Sequence, residues 1–461
     1  MRVTILGAGP GGYVAALKAA QLGAEVTVIE KEEVGGTCLN WGCIPTKSLV
    51  ASAEAFHKAR KLEEYGIEIS GQVTPNLAKI MERKQKVVST QIKGIRSLFK
   101  SWGVRLIEGT GMLLSPERIE VQKKDGSLDI FETDKIIVAT GSRPAQLPLF
   151  PFDGEHILSS NDAVVIKAIP RSLLIVGAGV IGCEFACIFR ELGTEVTMVE
   201  AMPRALSAED PEIAEVLERE FKKKKIRLLT GVKVERVEGR HDGIHAFLED
   251  GRELSAEKLL VSIGRSLNTA NIGLEAVGVK KGPRGEILVD EKMETNIGGI
   301  YAIGDVVGGA LLAHVASREG IVAACNACGQ EEKIDYSVIP AGIFTLPEIG
   351  SVGLREHQAA ERAIQIKTGR FPFRALGKAH AMGEIEGMVK IISDAGTDKV
   401  LGVHCIGAHA TDLVHEGALA IKAGLTTREV ASMIHSHPTL AEGLMEAAED
   451  VHGEAIHIPK K

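Results

Sequence analysis

The chain contains two copies of one alternation of apolar and glycine-rich segments, and this pattern predicts strands separated by helices. An apolar run at 3–6 leads into a glycine-rich turn at 7–12, a helix from 13 to about 22 and a second apolar strand at 25–29. The same order returns between 173 and 200. Strands that alternate with helices are typical of βαβ units, in which the strands lie parallel. We therefore predict an α/β fold with a parallel sheet in each copy.

Each copy places three glycines and one acidic residue where a dinucleotide needs them. Gly7 makes the turn, Gly9 lets the backbone approach a pyrophosphate, and Gly12 allows close packing of strand and helix. The acidic residue ends the second strand, where its carboxylate can accept hydrogen bonds from ribose hydroxyls. A second copy that serves only as a scaffold is the alternative, and its complete glycine set argues against that. The sequence thus predicts two Rossmann-like nucleotide-binding domains, with Gly7, Gly9, Gly12 and Glu30 in one and Gly177, Gly179, Gly182 and Glu200 in the other.

A further repeated feature predicts a small antiparallel sheet in each half. The apolar segment 135–141 is similar to 258–264, and each follows an Asp-Gly pair, at 125–126 and 250–251. An Asp-Gly pair favours the tight turn of a hairpin. Each half is therefore predicted to combine a parallel sheet with an antiparallel meander.

The acidic residue of the second copy also indicates which nicotinamide cofactor fits. A carboxylate accepts hydrogen bonds from a free ribose 2′-hydroxyl and repels a 2′-phosphate, so Glu200 favours NAD over NADP. Arg204, four positions later, is able to bind a phosphate. This arginine keeps NADP open as the alternative.

Length and charge are those of a large protein with several domains. With 461 residues the chain exceeds what one core usually supports, so about two to four domains are expected. The net charge of −7 argues against a nucleic-acid surface, and the four lysines at 222–225 are interpreted as the solvated face of a helix. No apolar stretch reaches membrane-spanning length, and seven cysteines without a regular framework suit a reducing compartment. We expect a cytoplasmic protein with no nucleic-acid partner, no membrane partner and no metal site.

Two cysteines five positions apart are the candidate redox centre. On a regular helix, such residues differ by about 7.5 Å in rise and about 140° in direction, whereas a disulfide needs Cα atoms about 5.5–6 Å apart. Cys38 and Cys43 can therefore pair only where the helix is distorted, and Gly42 and Pro45 permit such a distortion. Lys47 adds a positive charge that favours a thiolate. Two small buried thiols are the alternative that the spacing leaves open.

Seven motifs, in order along the whole chain, resemble those of the flavoprotein disulfide reductases, and within that family the members that oxidise dihydrolipoamide. The motifs lie at 7–12, 35–47, 139–141, 177–182, 301–305, 312–316 and 435–442. The resemblance implies FAD in the first Rossmann-like domain, NAD in the second, and a C-terminal α+β dimerisation domain. The implied divisions are 1–145 for FAD binding, 146–267 for NAD binding, 268–334 for a central domain that completes the FAD site, and 335–461 for the interface.

The resemblance also implies roles for individual residues. Cys38 would exchange disulfides with the substrate while Cys43 faces the flavin. Lys47 and Glu184 would form the family's catalytic pair beside the flavin. Ala313 and His314 are expected at a helix start. Toward FAD the implied residues are Gly7, Gly9, Gly12, Glu30, Lys47, Gly111, Thr140, Gly141, Ser142, Asp305, Ala313 and His314. Toward NAD they are Gly177, Gly179, Gly182, Glu184, Glu200, Val234 and Gly264.

A histidine that precedes a proline near the end of the chain is the candidate base. The resemblance implies that His437 accepts a proton from the dithiol substrate and that Glu442 orients it. Two alternatives remain: the run 439–442 also fits a capping box, in which Glu442 only closes a helix start, and His435 is a second candidate base. In the family this histidine reaches the disulfide of the opposite subunit, so the resemblance implies a homodimer.

The implied activity is oxidation of dihydrolipoamide on a lipoyl-bearing protein, in a 2-oxoacid dehydrogenase complex or the glycine cleavage system. Glutathione reductase shares the cysteine run but favours NADPH, whereas Glu200 in this chain favours NAD. Mercuric reductase carries a C-terminal cysteine pair, whereas no cysteine here follows Cys405. Soluble transhydrogenases usually lack the first cysteine of the run, which this chain keeps as Cys38. A flavin-binding subunit without turnover is disfavoured by the complete catalytic set. The chain departs from the family pattern at Ser266, Leu267 and 378–380.

Overall fold

The computed structural model describes residues 1–460, which form five sheets and thirteen α-helices. The strands are β1 Arg2–Leu6, β2 Glu25–Glu30, β3 Arg105–Ser115, β4 Arg118–Lys123, β5 Leu128–Glu132, β6 Lys135–Val138, β7 Ser142–Pro144, β8 Ile157–Leu158, β9 Ser172–Val176, β10 Glu195–Glu200, β11 Arg227–Thr230, β12 Val234–Arg240, β13 Gly243–Leu248, β14 Glu253–Ala256, β15 Lys258–Val261, β16 Arg265–Leu267, β17 Ile300–Ala302, β18 Ala341–Ile343, β19 Glu348–Gly353, β20 Ile366–Pro372, β21 Met388–Asp394 and β22 Val400–Gly407. The helices are α1 Pro10–Gln21, α2 Gly36–Asn40, α3 Cys43–Ala59, α4 Leu77–Ser101, α5 Ser160–Ala163, α6 Val180–Glu191, α7 Pro211–Lys223, α8 Ala313–Ala327, α9 Glu356–Glu361, α10 Gly377–Met382, α11 Ala410–Ala423, α12 Thr427–Ser432 and α13 Glu442–Asp450.

The first sheet has seven strands in the order β17-β6-β1-β2-β3-β4-β5. Strands β17, β6, β1, β2 and β3 are parallel, and β3 to β5 form an antiparallel meander. Its second turn holds the pair at 125–126, as predicted. Nearly every side chain of β1 is buried, as in a parallel sheet covered on both faces. The meander is not a separate sheet here, because the long strand β3 belongs to both parts.

The second half repeats this plan with two distinct sheets. Strands β11-β10-β9-β15-β8 are parallel, and β12-β13-β14 form their own antiparallel sheet, with the turn at 250–251 between β13 and β14. The predicted α/β fold with two related halves is therefore confirmed. The carboxyl ends of β9, β10 and β15 meet at one edge, which is where parallel sheets bind ligands.

A later segment of the chain completes the first half. Strand β17 pairs with β6, and α8 packs against α1. These helices approach closely because glycines lie at their crossing: a Cβ on Gly11 would lie 3.0 Å from the Ala316 carbonyl oxygen, and one on Gly320 would lie 2.5 Å from the Gly11 oxygen. The crossing places the start of α8 at the same sheet edge as the first glycine-rich turn.

The C-terminal unit is an antiparallel sheet in the order β18-β19-β22-β21-β20, with α11 and α13 packed on it. This is the expected α+β architecture. The unit leaves Ile434 96% exposed, next to the half-exposed Met433. Within residues 1–460, no helix has both the length and the apolar content needed to cross a bilayer.

Candidate active site

The two cysteines lie on either side of a break between α2 and α3. The break is at Gly42, with φ −128° and ψ −115°, and α3 begins at Cys43. A Cβ on Gly42 would lie 2.9 Å from the Thr37 carbonyl oxygen, so a larger residue would force the turn open. Pro45 is the third residue of α3, where its missing N–H leaves no helix bond unmade. The predicted distortion is thus a complete helix break, and it brings Cys38 to Cys43.

Cys38 and Cys43 are two thiols joined by a hydrogen bond. The bond from Cys38 lowers the pKa of Cys43 to about 7; burial opposes this shift, and Lys47 supports it. Cys43 is also the first residue of α3, where the helix N-terminus stabilises negative charge. The same bond, together with burial, raises the pKa of Cys38. Cys43 is therefore the thiol of the pair that ionises first, and Cys38 keeps its proton to higher pH.

An ion pair lies one helical turn from Cys43. The Lys47 ammonium, on α3, is 2.8 Å from both carboxylate oxygens of Glu184, on α6. Glu184 is 3% exposed. The C-terminal unit adds Phe344, whose amide donates to Glu184 at 2.9 Å and whose ring centroid lies 4.6 Å from the Lys47 nitrogen. Sequence reasoning predicted the pair but missed Phe344, because no motif marks it.

His437 and Glu442 lie together at the start of α13. Nδ1 of His437 is 2.9 Å from one oxygen of Glu442, and the other oxygen accepts the Thr439 amide at 2.8 Å. The Thr439 hydroxyl donates to the Ser436 carbonyl and caps no helix amide. The capping-box alternative is therefore half correct, because Glu442 closes the turn and also holds the histidine. The His437 side chain is 76% exposed, and its bond within the described chain is to Glu442, not to the cysteines.

The second candidate base has both ring nitrogens engaged. The His435 side chain is 3% exposed. Its Nδ1 lies 2.9 Å from the Met433 carbonyl oxygen, and its Nε2 lies 2.9 Å from the Glu416 carboxylate. Since neither nitrogen is free to take a proton from a substrate, the geometry favours His437.

The first glycine-rich turn forms an open cradle at the carboxyl edge of the first sheet. A Cβ on Gly7 would overlap the Ala139 carbonyl, and one on Gly12 would overlap the Gly7 carbonyl. Gly9, in contrast, faces only the Cα of Gly36, 3.9 Å from where its Cβ would be. Two glycines are thus required for packing, and the third leaves space for a ligand between the turn and the cysteine segment.

The second turn repeats this arrangement. A Cβ on Gly177 would lie 2.5 Å from the Ser262 carbonyl oxygen, and one on Gly182 would overlap the Gly177 carbonyl. A Cβ on Gly179 would meet no atom within 4 Å. Gly264, at φ +120°, lies at the same edge just beyond β15. Both copies therefore retain an open glycine for a pyrophosphate.

The two acidic residues are held alike. Glu30 accepts the amide of Ala8 at 2.7 Å and that of the residue two positions after itself at 2.8 Å. Glu200 accepts the amide of Ala178 at 2.6 Å and again that of the second residue after itself at 2.8 Å. Each carboxylate keeps lone pairs for ribose hydroxyls. Arg204 donates hydrogen bonds to two backbone carbonyl oxygens of its own loop, both at 2.9 Å. Its guanidinium is therefore held by the backbone and is not free to bind the 2′-phosphate of NADP.

Ser142 and Asp305 meet in a polar cluster that motif reasoning found only in part. The Ser142 hydroxyl donates to Asp305, and Arg265 donates to the Ser142 hydroxyl and carbonyl oxygens at 2.6 and 2.9 Å. The cluster forms because β16 pairs with β7. Burial lowers the pKa of Arg265, although Asp305 raises it. Arg265 directly follows Gly264, which is the one signal that could have revealed it.

The remaining predicted residues also lie near these two edges. Ala313 and His314 are the first residues of α8, so the expected helix start is confirmed. The other positions are Thr140 and Gly141 just after β6, Gly111 within β3 and Val234 at the start of β12.

Together these residues fit one dinucleotide at each parallel sheet. Each edge offers an open glycine at a helix N-terminus for a pyrophosphate and a fixed carboxylate for a ribose. The first edge also borders Cys43, through Gly36 and α2. A redox-active thiol pair therefore lies beside a nucleotide cradle.

Family comparisons agree with this arrangement. The model of the pyridine nucleotide-disulphide oxidoreductases matches residues 1–320, and that of the family's dimerisation domain matches residues 339–448. The dihydrolipoyl dehydrogenase of Bacillus subtilis is 44% identical over 99% of this chain and 98% of its own length. The enzyme of the same name from Thermus scotoductus is 42% identical over 98% of both chains.

Solved structures give the same result. LpdA from Mycobacterium tuberculosis superposes with a TM-score of 0.91 at 33% identity, covering 97% of this chain and 99% of its own. The HOCl-induced flavoprotein disulfide reductase RclA from Escherichia coli has a TM-score of 0.87 at 25% identity, covering 97% and 99%. The similarity thus extends over the whole fold and is not confined to one motif.

Proposed function

The chain belongs to the pyridine nucleotide-disulphide oxidoreductase family, and on that premise we propose that it is a dihydrolipoyl dehydrogenase. It oxidises dihydrolipoamide to lipoamide with NAD⁺ as the electron acceptor. The observation that carries this proposal is the thiol pair of Cys38 and Cys43 at the start of α3, beside the Lys47–Glu184 ion pair.

The sulfur chemistry begins with the cysteine pair oxidised. A substrate thiolate attacks Cys38, which breaks the Cys38–Cys43 bond, forms a mixed disulfide and leaves Cys43 as a thiolate. The second substrate thiol, deprotonated by His437, attacks the substrate sulfur of that mixed disulfide. This step closes the ring of lipoamide and releases Cys38. Two electrons then reside on the cysteine sulfurs, and Glu442 holds the imidazole that carries the proton.

The cofactors are FAD and NAD. Glu30, the first glycine-rich turn, the Ser142–Asp305 cluster and the start of α8 would hold FAD, and Glu200 with the second turn would hold NAD. FAD held there would supply an acceptor for the electron pair of the reduced cysteines, and NAD⁺ held at the second turn would supply the final acceptor. The four-domain division at 145, 267 and 334 belongs to this proposal, and the pairing of β17 with β6 supports the central segment's place in the FAD half.

The enzyme works as a homodimer, for which the dimerisation domain at 339–448 is the support. In the dimer, His437 of one subunit serves the cysteine pair of the other, which agrees with its exposure in the single chain. The electron donor is a lipoyl-bearing protein of a 2-oxoacid dehydrogenase complex or the glycine cleavage system. The cytoplasm is the compartment in which we place it, since the cysteine pair must cycle between its two redox states.

One assay tests the function. The purified protein, after its flavin spectrum is recorded, is given dihydrolipoamide with NAD⁺ or NADP⁺, and in parallel oxidised glutathione with NADH or NADPH. We expect NADH formation from dihydrolipoamide. Activity with NADP⁺ or NADPH should be weak because Glu200 repels a 2′-phosphate, and glutathione should be a poor substrate with either cofactor because the relatives are dihydrolipoyl dehydrogenases. Strong glutathione reduction with NADPH would contradict the proposal and favour glutathione reductase, which shares the cysteine run.

A further inference from the structure

Phe344 contacts both members of the Lys47–Glu184 pair through two different parts of the residue. Its backbone amide donates to a Glu184 oxygen at 2.9 Å. Its ring lies under the Lys47 ammonium, with 4.6 Å between the nitrogen and the ring centroid. An ammonium over an aromatic face is attracted by the ring quadrupole. One residue of the C-terminal unit thus restrains the anion and the cation at once.

The loop that carries Phe344 is fixed to α6 at a second point. Leu346 follows Phe344 by two positions, and its amide lies 3.4 Å from the sulfur of Cys187. Cys187 lies on α6, one turn after Glu184. Phe344 and Leu346 also pack against a core cluster that contains the buried Ile343. The ring is therefore held in place by its own surroundings and can act as a support for Lys47.

Four ionisable groups of the same chain act on Cys43, besides the imidazole that the proposed dimer would bring from the other subunit, and Phe344 touches two of the four. The thiol Cys38 lies on α2, Lys47 on α3, Glu184 on α6 and Arg265 on β16. Lys47 and Arg265 attract a thiolate at Cys43, and Glu184 repels it. The charge of the sulfur therefore depends on how the ammonium is shared between Glu184 and Cys43.

We propose that Phe344 is a positioning residue for the Cys43 thiolate, because it holds the Lys47–Glu184 pair in the orientation that keeps the ammonium within reach of the sulfur. The inference rests on the proposed function in one respect: the Cys43 thiolate matters for turnover only if the chain is a dihydrolipoyl dehydrogenase. The C-terminal unit would thus orient charged groups beside the cysteine pair of its own chain, whereas His437 of the same unit would act on the cysteine pair of the other subunit.

The test measures the ionisation of Cys43 without turnover. In the holoenzyme with Cys38→Ser, the rate of Cys43 alkylation by iodoacetamide is followed across neutral pH, with the modified peptide quantified by mass spectrometry. In this background, F344L and F344M should raise the apparent pKa of alkylation by about half a unit. Each removes the aromatic face under Lys47, so the ammonium is no longer held where it stabilises the Cys43 thiolate. F344Y, which keeps the aromatic face, should titrate like its parent.

The matched control is F247L. Phe247 also lies under a cation, Arg236, at 3.7 Å, but on β13, so its loss should leave the alkylation curve unchanged. Equal curves for the parent, F344L and F344M would overturn the inference, as would an F344Y curve displaced like that of F344L. A wild-type enzyme inactive with dihydrolipoamide would instead overturn the proposed function, and the titration would still report on Phe344.

Discussion

Cys38 and Cys43 are the same residue type, and their different ionisation comes from where each lies on the backbone. Cys43 begins a helix and receives a hydrogen bond from the other thiol, and both effects favour its thiolate. Cys38 is the third residue of α2, which has only five residues and therefore a much smaller dipole than the 17-residue α3. The glycine at the break decides this difference, because it starts α3 at Cys43.

Replacing Cys43 with serine should abolish dihydrolipoamide turnover while leaving FAD bound, because serine cannot form the disulfide and the cofactor contacts proposed here lie elsewhere. NADH formation and the flavin spectrum are the two measurements. Cys328→Ser, at a half-buried thiol on the end of α8, is the control and should keep wild-type activity. Full activity in C43S would show that the pair is not the route of the electrons.

Replacing His437 with glutamine should lower dihydrolipoamide turnover by about 10²- to 10⁴-fold, the range typical for loss of a general acid–base group. H241Q, at an exposed histidine between β12 and β13, controls for the substitution itself. Unchanged turnover in H437Q would remove the residue from the mechanism.

At the scale of elements, α3 and α6 are joined at both ends by ion pairs. Near their N-terminal ends lies the Lys47–Glu184 pair. At the other end lies the carboxylate of Glu191 on α6, which is 4% exposed. It lies 3.0 Å from His57 Nδ1 and 2.5 Å from the Lys224 ammonium, and it also forms an ion pair with Arg60, which follows α3. Burial raises the pKa of Glu191, but His57 and Lys224 outweigh it and lower the value to about 2. These contacts hold the two helices in the register that places Lys47 opposite Glu184.

Replacing Glu191 with glutamine should lower the free energy of unfolding by about 3 kcal/mol at neutral pH. The reason is that His57, Arg60 and Lys224 would lose the buried negative charge with which they interact. The folded pKa lies below the ordinary 4.5, so this stabilisation is complete above that pH and is lost as the pH falls toward 2. Thermal melts of E191Q and wild type should therefore converge on acidification. E235Q, at an exposed glutamate, should match wild type throughout, and a constant gap at every pH would contradict the charge argument.

At the scale of the whole molecule, a buried ionic cluster joins the second parallel-sheet half to the C-terminal unit. Lys390 of β21, 1% exposed, contacts Asp210 at 2.9 Å, Glu212 at 2.8 Å and Glu356 at 2.6 Å. Burial lowers the pKa of Lys390, but the carboxylates of Glu212, Glu356 and Asp210 outweigh it and the net shift is upward. The cluster fixes the entry to α7 and with it the loop that follows Glu200.

Replacing Lys390 with methionine should destabilise the protein by about 3–5 kcal/mol, because the buried Asp210 would lose the ammonium with which it forms an ion pair. Adding Asp210→Asn should restore part of the loss, since the asparagine is neutral and still caps α7. Chemical denaturation of the two variants is the measurement. If the double variant is no more stable than K390M, an unpaired charge is not the cause.

The fold and most of the site were predictable because their signals are local. Alternating strands and helices, two glycine-rich turns and the two Asp-Gly turns each occupy a few consecutive residues, and all appear where predicted. The fusion of the first meander with its parallel sheet was not predicted, since the length of β3 is not visible in a turn motif. The capping alternative for Glu442 was half correct, because a sequence cannot show that one carboxylate takes both bonds.

Residue type and near neighbours alone specify which residues carry charge, which are sulfur nucleophiles and where the backbone must turn. Long-range packing, in contrast, is required for the contacts of Phe344 with Glu184, His57 with Glu191, and Lys390 with Asp210, which join positions 160, 134 and 180 residues apart. Each depends on how separate units pack. The ionisation of Cys43 combines both levels: the glycine break places it at a helix start, and packing brings the ion pair beside it.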